Sequence, residues 1–241
     1  MMKRLLGICV LSLFSSFAFA QSYTLMTTET SRIAKGETST ESFFIEVVQE
    51  IFKRSNLGLR VKIEPWIRSQ KKVASADPKE GLVISPLTRT DERENTYDWI
   101  VPITTYKLQF VTNDRTVDIS NLEGLKKEPI CAFRESPAEF KLKALGFTKI
   151  RTKVQEQKCF LGLKKHAEKV MLAHGKVSAS KGFKLAGGNP KKLIYGRSFA
   201  EESLYLASTK GAVSKRDIEK LRTALDNIKK DGTYAMIRDK Y

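Results

Sequence analysis

The residues of this chain best equipped for chemistry lie between Gly81 and Pro102. Leu82, Val83 and Ile84 form an apolar run that reads as a short buried strand, stopped by Ser85 and Pro86. Thr88, Arg89, Thr90 and Arg93 then fall within six residues, followed by Tyr97, Asp98, Trp99 and Pro102. A strand that empties into hydroxyls and guanidinium groups is suited to hold a small anion. Arginine offers a planar fork that matches a carboxylate bidentately, and hydroxyls fill the remaining lone pairs. The plainer alternative is an exposed Arg93 in an ion pair with Glu92 or Asp98.

Two further segments carry candidate groups. In Pro65-Trp66-Ile67-Arg68, Trp66 can stack on a ligand and Arg68 can reach an anion, or Trp66 is a core aromatic and Arg68 sits on the first exposed turn. In Arg134-Glu135-Ser136, a strand ends where a helix begins, which presents free N–H groups and a positive dipole end. Ser136, with Pro137 next and Glu139 three residues on, also reads as a capping box, and capping alone would account for it. No nucleophile–base pair stands out. His166 and His174 fall on different elements, and no Cys/His cluster has zinc spacing, so neither a metal nor any other cofactor is expected.

Positioning these groups requires a particular succession of elements. Residues 1–20 read as a secretory signal peptide: Lys3 and Arg4, an apolar stretch from Leu5 to Phe14, and Ala18-Phe19-Ala20 before Gln21. Its removal would take two cations from a chain of net charge +16 and leave +14. The expected compartment is the periplasm. A field of that sign can steer anionic ligands or hold a protein near anionic surfaces. Export argues against nucleic acid as the partner, and lysines spread along the chain read as a solvated basic surface. Cys131 and Cys159 would remain after cleavage and read as one disulfide in an oxidising compartment, or else as two buried thiols.

After Gln21 the expected order begins with a strand from Ser22 to Thr27. A helix from Glu41 to Ser55 follows, capped by Thr38 and Glu41, then a strand from Leu59 to Ile63. A helix from Ile67 to Ala76 precedes the strand at Gly81. This is the βαβ rhythm of a parallel α/β sheet. Ile103 to Thr112 reads as extended. The rhythm then restarts with strands at Pro129 to Phe133, Lys149 to Val154 and Lys169 to Ala173, a short helix from Cys159, and a basic loop or helix from Lys176. Ser203 to Ser208 is a last strand, and Ser214 caps a helix through Ile218, Leu221, Leu225 and Ile228.

The same residues carry a family resemblance. Thr90-Asp91-Glu92-Arg93, then Tyr97-Asp98-Trp99 and Pro102, resembles the T-x-x-R … D-F-S-x-P segment of family 3 extracellular solute-binding proteins, the periplasmic receptors of polar amino-acid ABC importers. Pro65-Trp66-Ile67-Arg68 resembles that family's P-W-x-R. Asp231-Gly232-Thr233-Tyr234 with Ile237 and Tyr241 resembles its C-terminal signature, so the resemblance spans essentially the whole mature chain. It implies a two-lobed α/β fold of the type II periplasmic-binding-protein kind, with a central cleft and two crossover hinge strands. Lobe 1 would comprise residues 21–105 plus 203–241, and lobe 2 residues 106–202.

The resemblance further implies that Arg93 grips a ligand carboxylate and that Thr88 assists. Ser136 would meet the ligand from lobe 2, with Arg134 in place of the usual glycine, and Trp66 and Arg68 would line the wall. The partners it implies are a small anionic or zwitterionic solute, such as an amino acid or related carboxylate, and the permease of an ABC importer; the receptor itself is expected to be a monomer. The chain departs from the family in lacking the lobe 2 aspartate that pairs with a ligand ammonium. Val170 falls closest to that place, and Glu168, Glu135, Glu201 and Glu202 are the available substitutes. Two other readings are a cyclohexadienyl dehydratase-like enzyme, using Glu29, Glu135 or Glu202, and a soluble sensing accessory protein.

Overall fold

The computed structural model describes residues 22–28 and 40–240. The elements, in chain order, are β1 (Ser22–Thr27), α1 (Thr40–Arg54), β2 (Gly58–Ile63), α2 (Trp66–Ser75), β3 (Leu82–Thr88), β4 (Tyr97–Thr112), α3 (Leu122–Leu125), β5 (Ile130–Phe133), α4 (Pro137–Ala144), β6 (Ile150–Lys153), α5 (Glu156–Lys164), β7 (Val170–Ala173), α6 (Gly175–Leu185), β8 (Ile194–Thr209), α7 (Lys215–Lys230) and α8 (Thr233–Asp239). The strands form one mixed sheet ordered β2-β1-β3-β8-β4-β7-β5-β6.

That order contains two parallel units joined by a long antiparallel pair. β1 lies parallel between β2 and β3, and β5 lies parallel between β6 and β7. β4 and β8 pair from Tyr97 opposite Thr209 to Thr112 opposite Ile194, with four register shifts along the way. β3 joins β8 only over Val83–Thr88, and β7 joins β4 only over Gln109–Val111. Each unit thus hangs from one end of the β4–β8 ribbon. The register shifts twist the ribbon locally, as extra residues in a ladder do.

Packing follows the same division. β3 is buried along nearly its whole length because helices cover both of its faces. On one face, Tyr23, Leu25 and Val83 bury with Val47, Ile51 and Phe52 of α1 and Leu221 and Ile228 of α7. On the other face, Met26 and Ile84 pack with Val73 of α2. In the second half, Ile130, Ala132 and Val170 bury with Leu142 of α4. Met171 and Ala173 bury with Phe160 of α5 and Phe183 of α6. None of these clusters mixes residues of β1–β3 with residues of β5–β7.

Three expected strands are longer than their sequence implied, and the last runs from Ile194 to Thr209 rather than from Ser203 to Ser208. Ser85-Pro86 reads as a stop, yet β3 continues to Thr88, with a register shift between Ile84 and Leu87 that lets the proline pass. β4 starts at Tyr97 rather than Ile103, and Pro102 sits beside another register shift. The basic segment after Lys176 is helix α6. The signal segment and the cap expected at Thr38 lie outside the described residues.

Cys131 of β5 and Cys159 of α5 form a disulfide, both fully buried, across a sequence separation of 28. It ties the strand before the 134–136 turn to the helix that begins at Glu156. Replacing both cysteines with serine should cost about 3–4 kcal/mol in urea unfolding, the entropy of leaving a loop of that length open. No change in the unfolding midpoint would contradict this.

Candidate functional site

In open α/β sheets, ligands collect beyond the carboxyl ends of parallel strands. Here both sets of carboxyl ends converge on the middle of β4. Thr88 ends β3, and its hydroxyl lies 3.0 Å from the Tyr106 phenol oxygen on β4. His174 follows β7, and its ring packs edge-to-face on Tyr106 with centroids 5.1 Å apart.

Arg93 belongs to the short 3-10 turn after β3 and is only 7% exposed. Its Nη1 donates to the Thr88 carbonyl (3.1 Å), and its Nη2 donates to Gln70 Oε1 (2.7 Å) and to the Glu135 carbonyl (2.8 Å). The guanidinium also stands 5.5 Å over the Phe140 ring of α4. All three oxygen partners are neutral. Among the described residues no carboxylate comes within ion-pair distance of Arg93. Burial pushes its pKa down, yet guanidinium stays charged. A hollow of about 240 Å³ opens beside it, lined by Gln70, Tyr97, Glu135 and Phe140 among others.

The alternative pairing of Arg93 with Glu92 or Asp98 does not form. Asp98 accepts from the Gly211 N–H (2.7 Å). Arg89 is the neutralised arginine: it binds Glu94 through two nitrogens and lies against Trp99 and Tyr205.

The Glu135 carbonyl reaches Arg93 because the turn before α4 has an unusual backbone. Glu135 has φ of 55°, the left-handed region that costs a residue with a Cβ about 1–2 kcal/mol. Ser136, 2% exposed, holds the turn in place: its hydroxyl donates to the Phe133 carbonyl (2.6 Å) and accepts from the Glu139 N–H (3.4 Å). Glu139 in turn accepts from the Glu135 N–H (2.8 Å). The Ser136 hydroxyl is therefore occupied as a cap. Arg134 is exposed, and its Nε donates to Thr152 along the sheet (3.4 Å).

Trp66, half-buried, packs against the cluster of Met26, Val73 and Leu87. Arg68 is exposed on the same helix, and Gln70 rather than Arg68 is the α2 residue that meets Arg93. Val170 is fully buried in the core, so its side chain cannot face a solute. Glu168 is buried and paired with Lys153 (3.2 Å) and Arg151 (3.5 Å), and a side chain at Gly162 would strike it, so it serves the fold. Glu201 pairs with Lys107 on the surface (3.8 Å). Glu202 lies opposite Tyr106 across the β4–β8 ribbon. Glu29 lies outside the described residues.

Sequence reasoning did not assign roles to Gln70, Tyr106, Glu156 or His174. Glu156 begins α5 and its Oε1 lies 2.7 Å from His174 Nδ1, with both side chains about one-fifth exposed. Burial pulls the His174 pKa down, but the Glu156 charge and hydrogen bond outweigh it, and the net shift is upward. Burial pushes the Tyr106 phenol up, so it stays neutral. The site thus presents a guanidinium and a threonine hydroxyl on one side, a phenol at the floor, and an imidazole held by a carboxylate on the other. Among the described residues no group of three or more metal-ligating side chains occurs. A larger hollow of about 480 Å³ lies between α1 and α8, away from the strand ends.

Solved structures share this architecture. The arginine-, lysine-, histidine-binding protein ArtJ of Geobacillus stearothermophilus aligns with a TM-score of 0.76 at 19% identity, over 92% of this chain and 95% of its own. A putative L-cystine ABC transporter protein of Listeria monocytogenes aligns with a TM-score of 0.76 at 16% identity, over 92% and 96%. An ancestral amino-acid-binding protein described as a precursor of cyclohexadienyl dehydratase aligns with a TM-score of 0.73 at 20% identity, over 91% and 95%. Among proteins of curated function, no sequence match is significant. The model of bacterial extracellular solute-binding proteins, family 3, matches residues 27–241, and the chain belongs to that family.

Proposed function

We propose that this solute-binding protein captures a small anionic or zwitterionic solute, an amino acid or related carboxylate, between two lobes for delivery to an ABC importer. The observation that carries this reading is the buried, unneutralised guanidinium of Arg93. A buried charge with only neutral partners is costly, and a carboxylate guest repays that cost with a charge-assisted, bidentate contact. The Glu135 carbonyl occupies one of the donors such a guest would use.

The lobes of this reading are residues 21–105 plus 203–241 and residues 106–202, and the β4–β8 ribbon is the hinge. Arg93, Thr88 and Gln70 hold the solute from lobe 1. The 134–136 turn, through its backbone, and His174 meet it from lobe 2. Closure is favoured because only the closed arrangement offers both sets of contacts. Trp66, Arg68 and Arg134 stand at the outer wall. The receptor acts as a monomer in the periplasm after cleavage beyond Ala20. The polarised His174–Glu156 pair also fits proton transfer, and it favours a second reading as an enzyme on the same fold. Turnover of a prephenate-like hydroxy acid would support that second reading, and tight binding without turnover the first.

A thermal-shift screen of amino acids, dicarboxylates and other small anions identifies the solute, since a ligand of the native state raises the melting temperature. With that solute, Arg93→Ala should weaken binding by at least about 100-fold in calorimetry, the loss expected on truncating one side of a buried charge pair. Its melting temperature without solute should stay near that of the parent, because the variant removes a charge that had no counter-charge. Unchanged affinity would refute the role of Arg93.

Protonated His174 attracts an anion, so affinity should rise as pH falls through its pKa, which lies above the ordinary histidine value of 6.5. The pair's contribution to stability follows the same sign. It is complete below the unfolded histidine pKa and is lost as pH rises through the folded one. An NMR titration should place the imidazole above 6.5 and show Glu156→Gln bringing it down. No change in that variant would contradict the pairing.

A further inference from the structure

Between residues 157 and 200 the chain carries ten lysines and arginines against one carboxylate, a net +9 of its total of +16 in fewer than one-fifth of its residues. That carboxylate is Glu168, buried and committed to Lys153 and Arg151, and Lys169 pairs with Glu128 just outside the segment (3.2 Å). This concentration lies in the sequence itself and corrects the reading of its lysines as evenly spread along the chain.

α5, α6 and the short 3-10 turn Pro190–Lys192 cover one face of the second half of the sheet. Their inner sides bury Cys159, Phe160, Leu163, Ala179, Phe183 and Leu193 together. The two helices lie close, because Gly182 leaves room for the Phe160 ring; a Cβ there would come within 2.2 Å of it. The Lys164 ammonium lies beside Gly187, which brings the end of α5 against the loop after α6. What remains outward is Lys158, Leu161, Lys164 and Lys165 from α5, Lys176, Val177 and Lys184 from α6, and then Lys191 and Lys192, all exposed. Each helix therefore sets an exposed apolar residue among lysines, with Leu161 38% and Val177 67% exposed.

We propose that the outer face of α5 and α6 is a docking surface for anionic phospholipid headgroups, separate from the solute cleft. The charge is of the right sign and is broad rather than focused. It is supplied by lysines, which act as point charges toward many headgroups, whereas arginine forks favour single bidentate partners. The two apolar side chains sit where a peripheral face would enter the headgroup layer. This proposal does not depend on which solute the cleft holds.

The test is vesicle co-sedimentation of the protein lacking its leader. Vesicles of about 30% phosphatidylglycerol in phosphatidylcholine should bind it, and phosphatidylcholine alone should not. Raising salt from about 50 to about 500 mM should weaken binding at least tenfold, since surface charge is screened. The triple variant Lys158→Glu, Lys165→Glu, Lys192→Glu should lose at least about tenfold in vesicle affinity. It should keep the parent's melting temperature and solute affinity. A control triple, Lys79→Glu, Lys210→Glu, Lys230→Glu, on the other half of the molecule should lose much less. Equal loss in both triples would mean that total charge alone drives association, and it would overturn the proposal. Failure to bind anionic vesicles, including the case where the face captures only an acidic protein, would also overturn it.

Discussion

One buried cation sets the terms for this molecule. The Arg93 guanidinium is enclosed by three neutral oxygens and an aromatic ring, and among the described residues no carboxylate lies within ion-pair distance of it. Taking a charge out of water is tolerable when a counter-charge accompanies it, and much less so otherwise. The structure therefore holds an electrostatic debt at one point, where two halves of the protein meet. On the proposed reading, a guest of opposite sign takes the place of the Glu135 carbonyl on Nη2.

The rest of the fold delivers Arg93 to that point. The β4–β8 ribbon carries one parallel unit at each end, and the hydrophobic clusters stop at the ribbon on both sides. Among the described residues no hydrophobic cluster spans both halves, and polar contacts join them near the middle of β4. Thr88 meets Tyr106, Tyr106 meets His174, and Arg93 meets the Glu135 carbonyl. In the second half, the disulfide ties β5 to α5 and the Ser136–Glu139 cap fixes the turn before α4.

Much of this was legible in the sequence. β1, the α2 segment and the caps at Ser136 and Ser214 announce themselves through local periodicity and hydroxyl placement. Arg93 stood out because a strand ran into a polar, arginine-bearing loop. Pro86 and Pro102 misled, because proline inside a strand is tolerated beside a register shift that no local pattern reveals. Gln70, Tyr106 and His174 were invisible for a different reason. Their partners lie 18 or 23 residues away along the chain, and only the packing of helices, turns and strands brings them together. Glu168, by contrast, was one of the available substitutes for the missing aspartate and proves to be a buried ion-pair partner.

The most direct test of the account is a crystal structure of the protein with its solute bound, read at Arg93. The account predicts an anionic group of the solute within hydrogen-bond distance of the guanidinium, displacing the Glu135 carbonyl from Nη2. A solute seated elsewhere, with the Arg93–Glu135 contact intact, would contradict it.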